Sequence, residues 1–176
     1  MQIAFAVCAP LSLGEGQGER NTMNAIHCHN LTKQFGDFKA VNNISLTVEK
    51  GEIFGFLGSN GCGKSTTMKM LTGLLAPTEG SATLLGEPID ASNIDTRKRV
   101  GYMSQAFSLY EELSVRQNLE LHAKLYQIPS VERKNYVDSV MQQFDLAHLA
   151  DKKPSSLSLG IRQRLQLAAA CLHKPE

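Results

Sequence analysis

No stretch of this sequence is long and apolar enough to cross a membrane. The longest unbroken apolar run, Ile3–Ala9, falls far short of the roughly 20 residues that a spanning helix needs. It also lacks the basic lead-in of a signal peptide, so work at a membrane would require another segment or subunit to cross it. Charge of one sign is equally scarce: 18 Lys and Arg stand against 17 Asp and Glu, a formal net charge of +1. That balance argues against nucleic acid held by bulk electrostatics, and no direct DNA binding is expected. The cysteines at positions 8, 28, 62 and 171 form no CxxC pair and read as the reduced thiols of a cytosolic protein. His27, Cys28 and His29 do not make a metal cluster, because on a strand Cys28 points away from its two neighbours. Finally, neither DxxG nor NKxD occurs anywhere, which speaks against a GTPase.

What remains is an ordinary globular composition, 42% apolar and 20% charged, with length for one domain and its core. Residues 1–24 stand apart: GEGQGERNTMN is Gly-rich and polar and reads as a flexible extension, with Met23 an alternative start to Met1. From Ala25 the apolar alternation of AIHCHNLT and NISLTV predicts two strands around a turn at Gly36–Asp37. EIFGFL, SATLLG and RVGYMSQ read as further strands. Ser114 and Gln117 have capping-box spacing and open a helix through about Tyr126. Val137, Val140, Met141 and Phe144 mark one face of a second helix. An α/β part is thus followed by an all-helical one, a helical subdomain over about residues 106–165 within a domain of residues 25–176.

Gly58–Ser65, GSNGCGKS, fits GxxxxGK[ST] in full. Glycines let successive backbone N–H groups turn inward around an anion, and the helix that follows adds its positive N-terminal end. Lys64 brings a full charge to the β- and γ-phosphates, and the Ser65 hydroxyl is a ligand for Mg²⁺. The loop Gly58, Ser59, Asn60, Gly61, Cys62 and Gly63, with Lys64, Ser65 and Thr66, is the candidate phosphate site.

In that context LTKQFGDFKAVNNISLTVEKGEIFGFLGSNGCGKSTTMKMLTGLLAPTEG resembles the opening of an ATP-binding cassette (ABC) ATPase. VGYMSQAFSLYEELSVRQNLELHAKLY resembles the same family's Q-loop region, and the likeness continues to residue 176. It is strongest to drug-exporter-like cassettes and to a cassette of the bacterial ribosome-associated ATPase. The resemblance implies a P-loop NTPase core of ABC type with an inserted α-helical subdomain, binding ATP and Mg²⁺. It places Phe35 under the adenine, and Gln105 on the metal or the attacking water, a catalytic role shared with Lys64. It implies a second cassette as partner, met by Ser158 and Gly160 of LSLG at 157–160, a degenerate form of the LSGGQ signature. The earlier LSLG at 11–14 precedes EGQGER, which cannot open a packed helix, and is coincidence.

A transmembrane export domain is the implied further partner, which would hold the chain at the inner face of the cell membrane. The alternatives are a soluble ATPase acting on the ribosome and a gene fragment without function. The first follows from the resemblance to the ribosome-associated ATPase, and the second rests on one absence. The family's apolar strand ending in Asp-Glu has no counterpart among the 176 residues, so C-terminal truncation and no hydrolysis by this chain alone are expected.

Overall fold

The computed structural model describes residues 24–93, 98–104 and 106–175. They divide into two compact units, one ending at Tyr102 and the other spanning Met103–Pro175.

In the first unit, strands β1 (Asn24–Phe35) and β2 (Phe38–Glu49) form the predicted hairpin around Gly36 and Asp37. Its alternation is broken by register shifts, where Asn30 and Asn43 adopt left-handed backbone with φ of 52°. The breaks at Asn30 and Asn43 are sutured by hydroxyls: Ser45 Oγ accepts from the Asn30 amide at 2.9 Å, and Thr32 Oγ1 accepts from the Asn43 amide at 3.0 Å. Local side-chain acceptors thus replace ladder bonds that the bulges remove. Strands β3 (Glu79–Leu84) and β4 (Glu87–Pro88) complete an antiparallel sheet of order β2-β1-β3-β4. Ile26, Cys28, Leu31, Val41 and Val48 on the hairpin pack with Met70 and Leu71 of helix α1 (Lys64–Leu71) and with Leu84.

Two predicted strands are not formed. Glu52–Leu57 has no ladder partner among the described residues, and a strand exists only when another backbone satisfies its N–H and C=O groups. The segment nonetheless alternates: the Phe54 and Phe56 rings pack on the core edge to face at 5.1 Å, while Ile53 is 97% and Leu57 76% exposed. Residues 99–104 likewise join no sheet, and the boundary between units falls among them.

The second unit is helical. Helix α2 (Val115–Leu125) begins with the predicted capping box: Ser114 Oγ accepts from the Gln117 amide, and Gln117 Oε1 from the Ser114 amide. Helix α3 (Ser130–Gln143) buries Val137, Val140 and Met141, and Phe144 caps its end half-buried. Helix α4 (Leu159–Cys171) contributes Leu165, Ala168 and Ala169 to the same core, alongside Val115, Leu119 and Ala123 of α2.

Candidate phosphate-binding site

The loop between Leu57 and α1 carries no regular structure, and its shape follows from its glycines. Gly63 is the N-cap of α1 at φ 88°, and a Cβ there would stand 2.4 Å from the Ala40 carbonyl oxygen of β2. Only glycine fits a position that is both left-handed and pressed against another backbone. Gly61, also left-handed at φ 83°, faces open space, so the turn there is a requirement of chain path alone. The first intrahelical bond of α1 runs from the Thr67 amide to the Gly63 carbonyl. The amides of Lys64, Ser65 and Thr66 therefore stand at the helix mouth with no side-chain cap and no acidic residue in the first turn.

Lys64 is the unusual group. It is only 7% exposed, and its Nζ donates to the Gly58 carbonyl at 2.8 Å and the Ser59 carbonyl at 2.6 Å, with Cys62 Sγ at 3.5 Å. Among the described residues no carboxylate pairs with it. A buried ammonium held by neutral carbonyls leaves its charge uncompensated, and the open amides of α1 add partial positive charge beside it. The residues therefore fit a phosphate group. A divalent cation would have the Ser65 hydroxyl, exposed and without a hydrogen bond among the described residues. No group of three or more His, Cys, Asp or Glu that could cage a metal occurs among the described residues.

Phe35 ends β1 at the hairpin tip, 50% exposed, with Lys33 Nζ 5.3 Å from its ring centroid. It belongs to the same unit as Lys64. Gln105 lies outside the described residues, but its neighbours are fixed. The Ala106 carbonyl accepts from Ser104 Oγ at 2.8 Å and from Gln166 Nε2 at 2.9 Å. Ser158 is the N-cap of α4 with extended backbone and a side chain that makes no hydrogen bond among the described residues, and Gly160 lies exposed in the first turn. Both belong to the second unit.

Two residues of consequence were not singled out from sequence. Asn118, fully buried in α2, accepts from the Tyr110 amide at 2.9 Å and donates to the Tyr110, Leu113 and Ser114 carbonyls. Gln166, 3% exposed, tethers the loop after Gln105. A polar amide inside an otherwise apolar helical stretch, LQLAAA, is the signal that would have marked Gln166.

A family model described as ABC transporter matches residues 41–176. The chain belongs to the ABC transporter family. It is 42% identical over 151 residues to the probable multidrug ABC transporter ATP-binding protein YbhF of Escherichia coli, covering 86% of this chain and 26% of that protein. It is 38% identical over 146 residues to the bacitracin transport ATP-binding protein BcrA of Bacillus licheniformis, covering 83% and 47%. This ABC chain thus spans about a quarter to a half of those relatives' lengths.

Solved ABC structures share its fold. The cbiO1 structure from Clostridium perfringens, part of the transporter complex cbiONQ, superposes with a TM-score of 0.75 at 28% identity, over 86% of this chain and 62% of that one. A dimeric post-hydrolysis ATP-binding cassette bound to ADP and Pi gives 0.71 at 28% identity, over 85% and 70%. The ABC-type P-loop fold expected from the sequence is therefore established. No helix among the described residues is long and apolar enough to cross a membrane.

Proposed function

We propose that this chain is the ATP- and Mg²⁺-binding cassette of an ABC ATPase that drives export. The observation that carries the reading is the buried, uncompensated Lys64 ammonium at the mouth of α1. In this reading the γ- and β-phosphates take the place of the Gly58 and Ser59 carbonyls on Lys64, and the amides of residues 61–66 close around them. Ser65 holds the Mg²⁺, which neutralises charge on the phosphate oxygens when bound. Phe35 stacks on the adenine, and Gln105 completes the metal and water contacts.

Ser158 and Gly160 reach the nucleotide of a second cassette, so the working unit is a pair docked on a membrane-spanning export domain at the inner face of the membrane. Export is favoured by the relatives, which include proteins named for multidrug transport, bacitracin transport and Nod factor export. The same reading treats residues 1–24 as an extension, and residues 25–176 as one incomplete cassette with its helical subdomain over about 106–165.

Titration calorimetry with Mg²⁺-ATP tests the reading. Lys64→Ala should weaken binding at least tenfold, about 1.4 kcal/mol; equal affinity of the two proteins would overturn it.

A further inference from the structure

The hairpin tip that carries Phe35 is joined to the segments at both ends of α1. Before the helix, the Ala40 carbonyl of β2 lies so close to Gly63 that no Cβ fits between them. After the helix, the Gln34 amide donates to Thr78 Oγ1 at 3.0 Å, and the Thr78 amide donates to the Thr32 carbonyl at 2.8 Å. Lys33 adds a third tie. Its Nζ donates to the Ala76 carbonyl at 2.7 Å and stands 5.3 Å from the centroid of the Phe35 ring. Among the described residues no carboxylate pairs with Lys33.

We infer that Lys33 is a positioning residue for the adenine end of the nucleotide site. Tethered to Ala76, its ammonium lies over one face of the Phe35 ring, fixes the ring's orientation and leaves the opposite face for the base. The inference rests on the adenine contact proposed for Phe35.

Two observations carry it. Phe35 is 50% exposed and belongs to neither core cluster, so packing does not choose its rotamer. A ring free to turn would have to be ordered by the incoming base, and ordering a side chain on binding subtracts from affinity. The second observation is what Lys33 bonds to. A surface lysine paired with a carboxylate has its charge answered there. This one is held by a neutral main-chain carbonyl, so the full charge faces the electron-rich face of the ring. The hydrogen bond fixes the ammonium on the segment after α1, which makes it a stop against which the ring rests. Its bonds do not run to the phosphate loop, where Lys64 already stands.

Calorimetric titration of the 176-residue chain with Mg²⁺-ATP and with Mg²⁺-tripolyphosphate separates the two ends of the site. Lys33→Gln should weaken ATP binding about threefold and leave tripolyphosphate binding unchanged, which also shows that the variant is folded. Lys33→Arg keeps a donor for Ala76 and a cation for the ring, and should return ATP affinity to within about twofold of the unsubstituted chain. In a Phe35→Ala background, Lys33→Gln should have no effect on ATP, because the two residues act as one unit. Equal ATP affinity of Lys33→Gln and the unsubstituted chain would overturn the inference. So would a loss shared by tripolyphosphate, which would make Lys33 a charge for the phosphates, or a loss that persists in full without Phe35. Failure of the underlying reading looks different: the unsubstituted chain would not bind ATP, or Phe35→Ala would bind it as tightly, and the inference would fall with that reading.

Discussion

Phe35 keeps half its surface open at the tip of a hairpin, where a core residue would be wasted and a stacking residue would be useful. Its ring already carries Lys33 at cation–π distance over one face. Removing it should cost ATP about 1 kcal/mol, the scale of one stacking contact, whereas Phe35→Tyr keeps the face and should bind nearly as well. Calorimetric affinities of the two variants check this, and silence of Phe35→Ala would place the ring outside the site. The phosphate loop was readable from sequence because its parts are contiguous: spacing alone brings Lys64 back to Gly58 and Ser59. Asn118 was not readable, because its worth lies in the Tyr110 carbonyl that only the folded chain brings to it; Gln166 is marked in the sequence only as a polar amide inside LQLAAA, and its Ala106 partner only the folded chain supplies.

Elements whose instructions are local formed as read. The Ser114–Gln117 box satisfies two orphan amides of α2 reciprocally, and its loss in Ser114→Ala should lower stability by about 1 kcal/mol. Urea unfolding measures it, with an unchanged midpoint as the contrary result. The β1–β2 hairpin needed only its turn and its alternation. Glu52–Leu57 had equally good strand composition and did not become one, because a strand's partner is specified elsewhere in the chain and no local pattern supplies it. Its alternation survived even so, in the inward Phe54 and Phe56 and the outward Ile53 and Leu57. Composition fixed which side faces the core; pairing was a separate question.

Stability of the molecule as a whole should depend on pH through His122. Burial against α2's neighbours, Tyr126 among them, lowers its pKa below the ordinary 6.5. The unfolded chain then binds a proton that the native one refuses, so stability is full above about 6.5 and declines as pH falls from there through the lower native value. His122→Gln should flatten that decline in urea midpoints taken between about pH 7 and pH 5; an unchanged slope would assign it to other groups. A slower chemistry bears on the same whole. Asn60 is exposed and followed by Gly61, whose left-handed, unhindered backbone leaves its amide nitrogen open to attack the Asn60 side-chain carbonyl, breaking the Cγ–Nδ2 bond, expelling ammonia and closing a succinimide. Hydrolysis of that ring writes a carboxylate into the phosphate loop. A polypeptide of formal net charge +1 thereby becomes formally neutral, and proteins without net charge associate more readily. Stored material should therefore age toward an acidic form that both repels phosphate and comes out of solution.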